Sequence, residues 1–512
     1  MSQLGEGPRG SMRRLEKKSV GSALGSEPDR HIIDRGQLNV SSGYALIASG
    51  GFSPSQHLTS IMALNCGDSR RFRRLPAPRF RINFHDEREA LFCQTYHPHP
   101  RATVPTKPRT AELVLVASNG RLLGRLPAVP VATPWWQDVE PVVRATRDHH
   151  GVDVTILRLL DAEMKQPHGG RVTYLAEVAE PVRAEPWIGI LNDHPRRHAF
   201  ARPGGPAADL AWASAILAER GLCPTAPPTQ VRTWNLSSLW RVPVEGQTVW
   251  LKVVPHFLAH EGALLTRMAG ARVPTVLGHE GGRILLTEIA GKDLYFAELP
   301  LLRDMVNLLV ELQRLWSDRV EELLALGLPN WRAPALGAAI AEVVERTRDE
   351  VSAEDHATLA HFVRGLPGRF DDVAACGVRD TLVHGDFHPG NFRGDGQTLT
   401  LLDWGDSGVG HPLLDQPAFL DRVPSAAVGA VRAHWLQQWR DAIPRSDPAR
   451  ASVLLAPVAA ARQAVIYRTF LDNIEPSEQP YHRADPARWL KRTAALVRES
   501  DRRGAFVGSG DA

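Results

Sequence analysis

Cysteine is nearly missing from this chain. Four occur in 512 residues, Cys66, Cys93, Cys223 and Cys376. They are far apart and form no Cys-x-x-Cys pair, which excludes a dense disulfide framework and a thiolate zinc ribbon. They are expected to be small core residues of a chain kept in a reducing cytoplasm. Long apolar runs are missing too. No stretch reaches the roughly 18 to 20 uninterrupted apolar residues that span a bilayer, and the N-terminus has no hydrophobic segment of signal-peptide type. Neither sign of charge is in excess: 60 Lys and Arg against 57 Asp and Glu leave +3. Bulk charge therefore gives no argument for nucleic acid or an anionic membrane as partner, and neither is expected. There is no internal repeat and no low-complexity tract. At this length two or three globular domains are expected, in a soluble, cytoplasmic protein.

What is present changes along the chain. Residues 1–35 are rich in Gly, Ser, Arg and Lys with little apolar periodicity, and are read as a disordered tail. Residues 36–87 include the basic, Pro-broken "SRRFRRLPAPRFR" and read as an uncertain linker. Between 88 and 181 the pattern turns to strands and one helix. "AELVLVAS" and "RLLGRLPAV" flank an Asn-Gly turn, "PWWQDVEPVVRATRDHHG" reads as a helix stopped by Gly151, and "VDVTILRLL" and "RVTYLAEVAE" follow as strands. Trp135 and Trp136 are assigned to core or domain-interface packing over stacking on a planar ligand. His97, His99, His149 and His150 are read as exposed histidines, not a metal site. Residues 182–228 bridge to the next domain through a helix near 207–220 and the hinge "CPTAPPTQ".

The order of elements in 88–181, with "RATRDHHGVDVTILRLL" at its centre, resembles the Nudix hydrolase domain. Arg144 and Gly151 fit that family's box, but Ala145, Asp148 and His149 stand where it carries acidic metal ligands. A pyrophosphatase of this type needs several hard oxygen ligands for Mg²⁺. The segment is therefore expected to be a degenerate Nudix-like domain without hydrolase activity.

From residue 229 the pattern is strands first and helices after. "SLWRVPVEGQTVWLKVVP" reads as two strands, the second placing Lys252 among apolar residues. A buried ammonium requires an anionic partner, and Glu261 on the following helical stretch is the nearest candidate in the chain. Further on, "HGDFHPGN" sets Asp386 and Asn391 five positions apart, and strand-like "TLTLL" ends in Asp403. Asp, Asn and Asp form an oxygen set suited to Mg²⁺. Phosphoryl transfer needs little beyond positioning, charge neutralisation and one carboxylate to receive a hydroxyl proton.

On these residues the region 229–480 resembles the aminoglycoside phosphotransferase and choline kinase family, small-molecule relatives of the protein kinases. "HGDFHPGN" is similar to its catalytic loop and "LLDWGDSGVGHPLLD" to its metal-binding segment. The resemblance implies an α+β, bilobal protein-kinase-like fold, with a β-rich lobe at 229–291, a helical lobe at 292–500 and a tail at 501–512. It implies ATP and Mg²⁺ as cofactors, Asp386 as catalytic base, Asn391 and Asp403 as metal ligands, and Lys252 with Glu261 as the phosphate-positioning pair. It places Ser237 and Ser238 in the phosphate-covering turn, where glycines are usual, and Glu288, Ile289 and Gly291 in the hinge that holds the base. His384 is assigned to supporting the loop and Asp415 to fixing it. His388 meets the substrate or packs, and Asp406 lies near the acceptor or only stabilises its turn.

The acceptor implied is a hydroxyl of a small molecule, a metabolite or an amino sugar. Asp472, Glu475 and Glu478 would attract a cationic one, with ordinary charged surface as the alternative. Two functions remain: an ATP-dependent small-molecule kinase, or a non-catalytic nucleotide-binding regulator whose first domain senses a ligand. Retention of a catalytic base favours the kinase. The acceptor, the choice of ATP over GTP and the oligomeric state are not legible.

Overall fold

The computed structural model describes residues 107–164, 168–179 and 181–507. The tail 1–35, the linker 36–87, the first part of the Nudix-like segment, Cys66, Cys93, His97 and His99 lie outside the described residues.

Four strands and a helix form the first module: β1 (Arg109–Val116), β2 (Leu122–Val131), α1 (Glu140–His150), β3 (Val154–Ala162) and β4 (Gly170–Val178). The sheet order is β2-β1-β4-β3, with β1 and β4 parallel and the outer pairs antiparallel. Apolar alternation fixes the strand faces. Ala111, Leu113 and Leu115 point to one face with Ile156 and Tyr174, while Val114, Val116, Leu157 and Leu175 line the other. Pro141 opens α1, and Gly151 closes it in the left-handed conformation, its N–H donating to Arg147 O.

Helix α2 (Gly205–Glu219) follows, and then the antiparallel sheet β5-β6-β7-β9-β8. Its strands are β5 (Thr229–Trp234), β6 (Ser237–Val244), β7 (Gln247–Val253), β8 (Val276–Glu280) and β9 (Arg283–Thr287), with α3 (His260–Arg267) between β7 and β8. Val249, Leu251 and Val253 of β7 pack outward toward Ala213 and Leu217 of α2. The alternate positions, Trp250 and Lys252, therefore face inward. Strand β5, absent from the sequence reading, is an edge. The module covers it: Thr233 N–H donates to Gln137 O (3.1 Å) and Val139 N–H to Val231 O (3.1 Å).

The second lobe is helical: α4 (Leu299–Trp316), α5 (Val320–Ala325), α6 (Ala335–Arg346), α7 (Ala353–Ala375), α8 (Gln416–Leu420), α9 (Val428–Ala442), α10 (Pro448–Asn473) and α11 (Asp485–Val507). Short strands run through it. β10 (Lys292–Asp293), β12 (Phe392–Gly394) and β13 (Leu399–Leu401) form one small sheet, and β11 (Thr381–Val383) pairs with β14 (Gly408–Gly410). Helix α10 is long and apolar enough by composition to cross a membrane, yet more than half of its most apolar stretch is buried inside the protein. The molecule is thus a mixed α+β chain with a β-sheet lobe and a helical lobe. One apolar core runs from the first module through both.

The expectation for the cysteines changes in part. Cys376 is buried, but Cys223 is exposed, at the foot of the hinge before β5. In the first module Arg144, Asp148 and His149 are exposed on α1.

Candidate active site

Lys252 is 4% exposed. Its ammonium donates to Glu261 Oε1 and to Asp403 Oδ1, each at 2.8 Å. Glu261 comes from α3, only nine residues on, while Asp403 is delivered by the end of β13 in the other lobe. Burial alone would push the ammonium's pKa down; the carboxylates of Asp403 and Glu261 more than reverse this, so Lys252 is charged. Burial raises the Glu261 carboxyl, against the pull of Lys252. The backbone N–H of Trp404 donates to Glu261 Oε1 at 3.2 Å, so the same oxygen ties α3 to the segment that follows Asp403. Asp403 has φ of 63°, the one positive φ outside glycine among the described residues. Strain of this kind concentrates where side-chain direction matters more than backbone comfort.

The loop after β11 carries Asp386. Asp415 anchors it, accepting from His384 N–H (2.9 Å), Gly385 N–H (2.8 Å) and Gln313 Nε2 (3.1 Å). His384, fully buried, bonds through Nε2 to Leu402 O at 2.8 Å, which joins the Asp386 loop to the strand leading into Asp403. Asn391 Nδ2 donates to Asp386 O at 2.8 Å, and Leu402 N–H donates to Asn391 O at 2.8 Å. Asp386, Asn391 and Asp403 are thereby brought together. The Gly390 N–H donates to His388 Nδ1 (3.0 Å), so the neutral ring carries its proton on Nε2, which lies 3.4 Å from Asp386 Oδ2. Burial would raise the Asp386 carboxyl, but His388 and Arg422, whose Nη2 is 3.7 Å from Oδ1, hold it well below the usual range. Asp386 is ionised and 21% exposed.

Asp406 follows in the next turn. Burial and the nearby charges of Asp386 and Asp403 raise its carboxyl well above the ordinary value, against Arg462 and Lys252. That crowding of carboxyl groups fits a divalent cation. The remaining donors fit as well. Asn391 spends its amide N–H on Asp386, which leaves its oxygen for a metal, and Lys252 is bonded to Asp403 through Oδ1, which leaves Oδ2 for one. Among the described residues no group of three or more His, Cys, Asp or Glu side chains is arranged to hold a metal by itself.

Several assigned residues stand differently from expectation. Ser238 pairs with Val253 and lies on the outward face with Trp240, whose indole donates to its hydroxyl at 3.0 Å. It is turned from Lys252 and cannot present its hydroxyl to a phosphate. Ser237 shares the Lys252 face, but its hydroxyl accepts from Trp234 Nε1 at 3.1 Å. The segment Glu288–Gly291 does link the sheet lobe to β10. Glu288 accepts from Trp250 Nε1 (2.7 Å), while the carbonyls of Ile289 and Gly291 are taken by the Arg393 guanidinium. The acidic trio is no acceptor patch. Asp472 is paired with Arg346 and Glu475 with Arg197, and Glu478 Oε1 accepts from Leu159 N–H.

Other contributors escaped the sequence reading. Arg462, buried in α10, donates to Gly385 O at 2.9 Å and stacks on Trp331 at 4.4 Å. An Arg inside the apolar run "APVAAARQAVIY" was the signal. A cavity opens over Asp386 and Asp406, walled by Trp234, Arg422, Tyr467, Tyr481 and, from the first module, Trp135 and Gln137.

Residues 237–453 match the phosphotransferase enzyme family. That region, the phosphotransferase region below, holds Lys252, Glu261, Asp386, Asn391 and Asp403. Similar solved structures include a choline kinase from Cryptosporidium parvum, with 10% identity and a TM-score of 0.42 over 58% of this chain and 97% of that one. A macrolide 2'-phosphotransferase type I has 18% identity and 0.40 over 57% and 97%. A macrolide 2'-phosphotransferase from Brachybacterium faecium has 17% and 0.37 over 53% and 97%. No curated protein matches the chain. The Nudix-like reading of 88–181 gains no support: the family match begins only at residue 237, and α1 presents no ligand cluster.

Proposed function

We propose that this chain moves the γ-phosphate of ATP to a hydroxyl of a small molecule, with Mg²⁺ as cofactor. The observation that carries the reading is the buried Lys252 held at 2.8 Å by both Glu261 and Asp403, with ionised Asp386 alongside at the floor of a cavity.

Lys252 supplies a fixed positive charge to the nucleotide phosphates, and Glu261 keeps it aimed. Asn391 and Asp403 would hold the metal, which neutralises charge building on the phosphates. Asp386 accepts the proton from the acceptor hydroxyl. The oxygen so released forms the new bond to the γ-phosphorus as the bond to the β-phosphate oxygen breaks, and ADP departs. His388 Nε2–H steadies the carboxylate oxygen nearest to it. The lowered pKa of Asp386 keeps it ionised at neutral pH and makes it a weak base, in line with one that takes the proton late, when the hydroxyl is already acidified by bond formation.

The test is ADP release from Mg-ATP across a panel of hydroxylated metabolites and amino sugars, repeated with Asp386→Ala. Acceptor-dependent release that falls about 10³-fold in the variant supports the proposal, a loss of the size expected for a positioned base. Tight Mg-ATP binding without turnover on any acceptor would instead identify a nucleotide-binding regulator.

A further inference from the structure

The segment between β2 and α1 belongs to the first module, outside the phosphotransferase region, yet it runs beside β5 and reaches the cavity over Asp386. Backbone bonds from Thr233 to Gln137 and from Val139 to Val231 hold it there, and Arg232 Nη2 adds an ion pair to Asp138 at 3.0 Å. Trp136 turns away, fully buried, against Tyr481 at 5.6 Å between ring centres, with its indole bonded to Gly169 O. Trp135 and Gln137 turn the other way and line the cavity.

Gln137 is 5% exposed, and its Oε1 has no hydrogen-bond partner. A carboxamide oxygen this deeply buried forgoes a bond that water would otherwise give it, unless something entering the cavity supplies one. Trp135, whose ring centre lies 5.7 Å from that of His168, presents a partly exposed indole to the same space, which is also lined by Tyr467 and by the Trp234–Tyr481 pair, whose ring centres are 5.5 Å apart. Among the charged groups lining the cavity, Asp386 lies beside His388 and Arg422, and Asp485 is bonded by Arg488 at 3.0 Å.

We propose that the first module supplies the specificity wall of the acceptor pocket, Trp135 stacking on a flat ring of the acceptor and Gln137 bonding to that ring's polar edge. This rests on the phosphotransferase reading for the identity of the pocket and adds the acceptor class. The ligand is a hydroxylated molecule with a planar unsaturated ring bearing N–H or O–H. Stacking supplies area at small entropic cost, and the buried amide rejects analogues that leave it unpaired.

The test uses the full chain with saturating Mg²⁺ and a non-hydrolysable ATP analogue. Binding of uridine and 4-hydroxybenzyl alcohol is measured by saturation-transfer NMR against glucosamine and choline, with ADP release from Mg-ATP recorded in parallel. The expected result is saturation of the ring protons of at least one flat probe. Its affinity should fall tenfold or more in Trp135→Ala and in the near-isosteric Gln137→Leu, and recover in Trp135→Phe. Failure of both flat probes to bind, or binding indifferent to both substitutions, overturns the proposal. Ring binding that depends on both residues but gives no ADP supports this pocket and removes the phosphotransferase reading. Turnover of glucosamine or choline untouched by either substitution does the opposite.

Discussion

Lys252 shows what one residue can commit a chain to. On the inward face of β7 its ammonium has little water, so two carboxylates from different lobes must meet it. Lys252→Met would leave Glu261 and Asp403 buried and mutually repulsive. A loss of about 3 kcal/mol or more is expected, because removing one partner of a buried ion pair strands the other, together with a rise in KM for ATP. Urea denaturation and nucleotide titration measure the two effects. Glu478 makes a separate, pH-dependent case. Burial pushes its carboxyl up to about 8 from an ordinary 4.5, and the nearby Glu475 charge adds to the rise. The folded state therefore favours the protonated acid. Its stabilising contribution is complete below about 4.5 and is lost as the pH climbs through about 8. Glu478→Gln should flatten the fall of Tm between pH 5 and 9 by a few degrees relative to the parent. Parallel profiles would show that Glu478 does not titrate across that window.

At the scale of elements, the loop after β11 depends on the chain approaching itself closely. Gly385 has φ of +91°, and a Cβ there would lie 1.8 Å from Asp406 O. Gly385→Ala should displace the loop from the Asp415 carboxylate and abolish turnover, and near-UV circular dichroism should show whether the rest of the fold survives. Much at this level was legible. The Asn-Gly turn, Gly151 and the alternating runs announced the strands and the end of the helix of the first module, but that helix begins at Glu140 and not near Pro134; the "VEGQ" and "HEGG" turns announced two hairpins of the second sheet. Strand β5 was not legible, because "TQVRTW" is short, polar at four of its six positions without apolar alternation, and follows a Pro-rich hinge. It pairs with β6 on one side and is covered on the other by the Gln137–Val139 segment, a partner more than 90 residues away that no local pattern reveals. The outward turn of Ser238 was hidden for a related reason, since a strand's face is set by its register against β7 and not by the hydroxyl it carries.

Across the whole molecule, a buried ionic joint ties the first module and the bridge after it to the helical lobe. Arg197 donates to both oxygens of Glu475, 2.7 Å at the closest, and Arg158 of β3 lies 3.4 Å from the same carboxylate. Leu159 N–H bonds to Glu478, whose carbonyl also holds Asn235 in the turn before β6. These acids looked in sequence like a lure for a cationic acceptor, because charge pattern along a chain does not show that Arg197 will arrive from 278 residues away. Arg197→Ala should cost about 3 kcal/mol, read as a lowered denaturation midpoint, and a double-mutant cycle with Glu475→Gln should return most of it as coupling. The Asp386 loop and the Asp403 segment, by contrast, were legible as a pair from "HGDFHPGN" and "LLDWGD", since each is a short local run that the fold joins through Asn391 and Leu402.

The central claim is that Asp386, Asn391, Asp403 and Lys252 form one site for a metal and a nucleotide. Electron paramagnetic resonance of Mn²⁺ titrated into the full chain with ATP addresses it most directly. The account predicts nucleotide-dependent Mn²⁺ binding that weakens at least 100-fold in Asp403→Asn and is also weakened in Asn391→Ala. Binding that both variants leave unchanged, or no nucleotide-dependent Mn²⁺ binding at all, would contradict it.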